Sequence, residues 1–216
     1  MSFIEMFQIL FLFLTTRSEN SIKVGYPWIN FQAILLLKKI IKNDFKIFEY
    51  GSGGSSIFFW KRAKETTSIE HVEDWYNILM KIKPENSNNN IILIKPEKDI
   101  SNEILTDYSN PENYKSSAKE YMNYNFKNYV TYIDRFPDEY FDLISIDGRS
   151  RPSCIMHSLS KVKSKGYLLI DNAEREHYFM HYNKENLNGN FEIIGKYFGP
   201  GPYNYNFSET IIYQKK

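Results

Sequence analysis

Two acids bracket a glycine turn in this chain. Glu49 stands two residues before Gly51-Ser52-Gly53-Gly54-Ser55-Ser56, and Glu70 follows about twenty residues later. A strand that runs into such a turn and then into a helix places a ligand beside the helix N-terminus, at the carboxyl edge of a sheet. Gly51 and Gly53 permit backbone angles and a close approach that a Cβ would bar. A carboxylate at Glu49 suits a ligand bearing an ammonium or sulfonium and would repel a pyrophosphate. Glu70, closing the next strand, is placed to accept two hydrogen bonds from ribose hydroxyls. Taken alone, the turn could simply join strand to helix, and Glu70 could be a solvated strand-end acid. Together the two acids favour a cationic nucleoside.

A second group of oxygen-bearing side chains lies further on. Asp147 ends one apolar run, and Asp171-Asn172 ends another. Two carboxylates and an amide carbonyl are hard ligands suited to Mg²⁺. The alternative has Asp147 orient the ligand's ammonium while Asp171 and Asn172 cap a following helix. Arg149, Arg151 and Arg175 follow the same two runs and are half of the chain's arginines. They suit an anionic substrate, or ion pairs with Asp147, Asp171 and Glu174. His177 lies within two helical turns of Asp171-Asn172, which makes it the candidate general base. Tyr26 and Trp28, ahead of the first core helix, either wall a pocket or pack in the core.

These residues need strands that end together. Apolar spacing gives helices over Ile29–Ile41, Ile57–Lys64, Glu73–Lys83 and Arg151–Val162, with a further one near Ala173–Asn183. Strands are expected at Lys46–Tyr50, Thr66–Val72, Ile91–Ile94, Phe141–Ile146, Tyr167–Ile170, Phe191–Tyr197 and Thr210–Tyr213. Pro84 and an Asn-rich turn at Asn86–Asn90 stop the third of those helices. A loop at Gly199-Pro200-Gly201-Pro202 separates the last two strands. Residues 96–130 carry no decodable pattern beyond some helical character over Tyr114–Tyr129. Strands alternating with helices mean an α/β fold with a doubly wound, mostly parallel sheet, closed by an antiparallel hairpin.

The turn Glu49-Tyr50-Gly51-Ser52-Gly53-Gly54-Ser55 resembles the first motif of class I S-adenosylmethionine-dependent methyltransferases, with Ser55 in place of a third glycine. Glu70 falls at their ribose-binding acid. Phe141 to Arg149 and Lys165 to Asn172 resemble their fourth and fifth strands. The likeness spans roughly residues 25–213 and is nearest to small bacterial methyltransferase-like proteins. It implies a Rossmann-like seven-stranded sheet with the last strand antiparallel. It also implies S-adenosyl-L-methionine held by Glu49, Gly51, Ser52, Gly53, Glu70, His71 and Asp147, with His71 against the adenine. Asp147, Asp171 and Asn172 resemble the Mg²⁺ set of catechol-type O-methyltransferases, although Ser150 stands where that group carries a lysine. The implied activity is methyl transfer to a small-molecule oxygen or nitrogen, with Asp147 and His177 at the reacting end. The alternatives are an aminopropyl transferase resembling polyamine synthases, and a non-catalytic binding or scaffold protein on the same fold.

Composition sets the outer limits. The 216 residues suit a single domain, with residues 1–45 as a helical extension and 46–216 as the core. Hydrophobic residues at 42% and charged residues at 25% are globular values, which excludes wholesale disorder. With 27 basic and 26 acidic residues the formal charge is +1, so no nucleic-acid partner is expected. Cys154 is the single cysteine, which rules out an intrachain disulfide and fits a reducing, cytoplasmic setting. The greasy stretch Phe3–Leu14 is too short to span a bilayer and has neither the basic start nor the small-residue site of a secretory signal. It is expected to be a helix packed on the domain, on a partner or on a second copy of the chain.

Overall fold

The computed structural model describes residues 3–16, 20–85, 87–99, 107–202 and 204–216. Asn86, in the expected Asn-rich turn, and residues 100–106, in the undecoded segment, lie outside them. Seven strands form one sheet: β1 (Lys46–Tyr50), β2 (Glu65–Glu70), β3 (Asn89–Leu93), β6 (Phe141–Ile146), β7 (Val162–Asp171), β8 (Phe191–Gly201) and β9 (Asn204–Lys215). A separate two-residue ladder pairs β4 (Glu97–Lys98) with β5 (Tyr124–Asn125). The main sheet runs β3-β2-β1-β6-β7-β9-β8, parallel except where β9 inserts antiparallel between β7 and β8. This is the expected Rossmann-like order. The expected Gly-Pro-Gly-Pro loop is instead mostly strand, since β8 runs through Gly201.

Both faces of the sheet are covered, and the strand period of two divides the side chains between them. Ile47, Leu143, Leu169 and Ile212 face α3 (Phe31–Ile40) and α4 (Gly54–Trp60). Phe48, Tyr50, Ile144, Ile146, Leu168 and Ile170 face the opposite layer. That layer includes Phe126, Tyr129 and Val130 around α6 (Lys127–Val130), and Cys154 and Ile155 of α7 (Arg151–Ser158). Asn30 caps α3 by accepting from Gln32 N at 2.8 Å.

The N-terminal helix α1 (Phe3–Thr16) seats only one side on the body. Leu12 is buried, and the Phe13 ring meets Phe31 at 6.4 Å. Phe3, Ile4, Phe7, Leu10, Phe11 and Leu14 remain exposed. No helix among the described residues is long and apolar enough to cross a membrane.

Two expected helices come out differently. The one starting at Arg151 ends at Ser158, and β7 begins at Val162. Among the described residues after β7 no α-helix forms: Asn172 takes a left-handed turn (φ 50°), and only a 3-10 turn at Glu176–Tyr178 follows. Asp171 and Asn172 therefore have no helix to cap.

The turns after β1 and β6 lie back to back. Gly51 (φ +86°) has the left-handed backbone that favours glycine, and a Cβ there would meet Gly148 Cα at 2.9 Å. A Cβ on Gly148 would run into the Tyr129 hydroxyl and reach Gly51 N at 3.1 Å. Gly148→Ala is therefore expected to destabilise the protein by about 1–3 kcal/mol, the usual cost of overpacking. Tyr129→Phe in the same chain should recover part of that loss by removing the clashing oxygen. Urea unfolding of the two single variants and the double variant checks this; purely additive effects would contradict it.

Candidate functional site

The carboxyl ends of β1, β2, β6 and β7 open into one crevice of about 380 Å³, a size typical of small-molecule sites. Gly51, Ser52, Gly53, Glu70, His71 and Asp147 line it, as do Asp171 and Asn172. Trp28 is half exposed along its wall, and Trp75, in the first turn of α5 (Glu73–Ile82), adds a second indole. Tyr26 belongs instead to the packing, with its ring 5.9 Å from Phe58. Nothing lies within 4 Å of where a Cβ on Gly53 would sit. Packing among the described residues does not call for glycine there.

Glu70 joins the two turns that flank the crevice. Its Oε2 accepts from the Ser52 amide and hydroxyl, both at 2.8 Å. Its Oε1 accepts from His71 N at 2.8 Å and Val72 N at 2.7 Å. Burial alone would raise its pKa, but the donors of His71, Val72 and Ser52 outweigh burial and hold the carboxyl below its usual range. The group is thus a fixed anion at neutral pH. The His71 ring stands beside it, Nδ1 3.1 Å from Oε1, with the rings of Tyr121, Phe126 and Tyr129 edge-on at 5.3, 5.8 and 5.9 Å.

Glu49 is not where the sequence reading puts it. Its carboxylate lies behind the glycine turn, 1% exposed, and does not line the crevice. It sits two residues on from Ile47 and so points to the α4 face, where Ser56 and Ser68 donate to Oε2 at 2.6 and 2.7 Å. Oε1 is buried without a hydrogen-bond partner. Burial pushes its pKa up to about 7, the charge of Glu70 adds to the rise, and the serine hydroxyls restrain it.

The expected metal set is also not assembled. A guanidinium already occupies the gap between the two carboxylates. Arg151 Nη2 donates to Asp147 Oδ1 at 2.8 Å, and Nη1 lies 3.9 Å from Asp171 Oδ2. The same side chain donates to three backbone carbonyls, those of Gly148, Asp147 and Asp171. Asp171 Oδ1 accepts from Thr210 Oγ1 at 2.7 Å. Among the described residues no cluster of metal-ligating side chains forms, and the residues present do not fit Mg²⁺. Burial raises the pKa values of Asp147 and Asp171, while Arg151 pulls both back down.

His177 is set apart from the crevice as well. It lines a neighbouring cavity with Arg149 and Arg175 and does not border the space beside Asp171. One contributor escaped the sequence reading, and one was only partly legible. Trp75 was legible only as an aromatic early in a helix. Arg151 was noted as a possible ion pair, but its reach to three carbonyls depends on contacts that spacing does not encode.

Compared by sequence, the chain matches no protein-family model and no curated protein. Compared by structure, it has the class I methyltransferase-like fold. It is similar to a Streptococcus mutans protein, described as a candidate methyltransferase and solved with SAH, at 12% identity and TM-score 0.50, over 83% of this chain and 93% of that one. TehB of Haemophilus influenzae is similar at 16% identity and TM-score 0.50, over 90% of this chain and 65% of that one. An rRNA methylase of Streptococcus thermophilus is similar at 13% identity and TM-score 0.50, over 85% and 94%. At these identities the shared property is the fold.

Two outcomes follow from the charges. Glu49 binds its proton more tightly folded than unfolded, so its contribution makes stability fall as pH rises from about 4.5 to about 7. Thermal melts of Glu49→Gln should show a smaller drop between pH 5.5 and pH 8 than the parent chain; an equal drop would place the titration elsewhere. Millimolar Mg²⁺ titrated into the protein should give no saturable heat. Saturable binding lost in Asp171→Asn would restore the metal set.

Proposed function

We propose that this protein is an S-adenosylmethionine-dependent methyltransferase acting on a small-molecule oxygen or nitrogen acceptor. The observation that carries the reading is Glu70: a buried, ionised carboxylate closing β2, bonded across the crevice to the turn after β1. An ionised carboxylate offers about four acceptor positions. Four donors already fill those positions, so a ribose hydroxyl reaching Glu70 would replace the Ser52 hydroxyl.

The cofactor supplies an already activated methyl on a sulfonium. The protein's part is to position and to exclude water. Gly51, Ser52 and Gly53 would hold the nucleoside's amino-acid portion against the turn, and His71 with Trp75 would flank the base. Asp147, still partly open to the crevice, would face the ammonium. Glu49 would contribute negative potential through the turn, one layer behind the ligand, and a bound cation would favour its ionised form. Asp171 and Asn172 would complete the floor next to the acceptor.

Isothermal titration with S-adenosylhomocysteine tests the reading. Saturable binding is expected in the parent chain. Glu70→Ala should weaken it about 10- to 100-fold, the value of charged hydrogen bonds at about 1.5–3 kcal/mol. No binding, or equal binding by the variant, would sink it.

A further inference from the structure

A second cavity, of about 220 Å³, adjoins the crevice and shares Gly148 and Arg149 with it as a common wall. Its lining is unusual for so evenly charged a chain. Arg149, Arg151 and Arg175 line it together with Lys115, and no carboxylate does among the described residues. Half of the chain's six arginines therefore meet in one small space. Arg151 is committed to Asp147 and Asp171, and Lys115 to Asp99 at 2.6 Å. The other two make only long ion pairs, although Arg175 Nη1 also donates to the Tyr178 hydroxyl at 2.9 Å. Arg149 Nη2 stands 3.4 Å from the exposed Glu120, and Arg175 Nε stands 3.9 Å from Glu174.

Two buried nitrogens at this cavity have no partner among the described residues: Arg149 Nε and His177 Nε2. The His177 ring is fixed edge-on between Tyr108 at 4.8 Å and Tyr178 at 4.6 Å. Burial and the charges of Arg175 and Arg151 hold its pKa below the ordinary imidazole value. A neutral ring can present one N–H without adding a charge, and guanidinium groups take oxyanions in a two-pronged grip.

We infer that this cavity is the seat for an oxyanion, a carboxylate or phosphate, carried by the small-molecule methyl acceptor and held by Arg149, Arg175 and His177 Nε2. The assignment to the acceptor rests on the cofactor reading above; the anion site itself does not. The shared wall puts the acceptor's far end in the cavity and its reacting atom in the crevice. A volume of this size takes an oxyanion and a few carbons but not a length of polymer. His177 then acts as a binding group, one cavity away from where a base would have to stand.

The test uses the full chain with saturating S-adenosylhomocysteine, titrated in separate arms with inorganic phosphate and with succinate. Binding is read by calorimetry and by the ring carbon-bound proton shift of His177, assigned with His177→Gln. Saturable binding of either probe that moves the His177 signal is expected. It should weaken about tenfold or more in Arg175→Gln, with S-adenosylhomocysteine affinity unchanged in that variant. Arg149→Gln should weaken the probe likewise. Overturning results are no saturable binding of either probe, or binding that both variants leave intact. An RNA oligonucleotide that displaces the probe and binds more tightly would also overturn the small-molecule assignment. Probe binding by a chain that fails to bind S-adenosylhomocysteine would keep the anion seat but remove its link to a methyl acceptor.

Discussion

The crevice depends on one carboxylate that belongs to two turns at once. Glu70 closes β2 with its own following amides, and reaches across to the amide and hydroxyl of Ser52 after β1. Without it the amides of Ser52, His71 and Val72 would lose their acceptor. A buried anion is costly unless its acceptor positions are filled. Here backbone donors do most of the filling, so the site is preorganised before any ligand arrives. The glycine turn can then be short and closely packed, because its position is set from outside.

Arg151 plays the matching part on the other side. It gathers the carbonyls of Asp147, Gly148 and Asp171 around one guanidinium and stands between the acids just after β6 and at the end of β7. The same contact keeps these acids from acting as a metal set. A lysine could reach one of these groups as a point charge; the planar fork reaches several. Between Glu70 and Arg151 lies the Gly51–Gly148 contact, which lets the two turns approach without side chains between them.

The layout of the sheet was legible because β1, β6, β7 and β9 alternate faces cleanly: Ile47 against Phe48, Leu143 against Ile144, Leu169 against Ile170. The glycine turn and Glu70 were legible because their chemistry is local. Glu49 was misread through that same alternation, since the parity that buries Ile47 under α4 also buries Glu49. Ser56 and Ser68, which receive it, lie on separate elements and leave no spacing signal. The stretch after Asp171 was misread for a different reason. Its apolar residues suit a helix, but Asn172 turns left-handed, and Tyr178 and Phe179 are buried by packing under the sheet edge. Tertiary burial overrode the local pattern there.

Across the crevice the charges form a gradient that net charge conceals. Glu49 and Glu70 lie on the β1–β2 side, Asp147 follows β6, and Arg149 and Arg175 line the neighbouring cavity past the β6 and β7 ends. Arg151, paired with Asp147 and near Asp171, stands at the boundary between the two signs. On the proposed reading, a cationic donor and an anionic acceptor would each be drawn to its own end, and their reacting atoms would meet at the boundary. An acceptor without that anion would forgo the grip of two guanidinium groups that are partly open to water, and would leave the buried Nε2 of the half-buried His177 without a partner. That penalty is a stronger basis for choosing a substrate than shape in a small polar cavity.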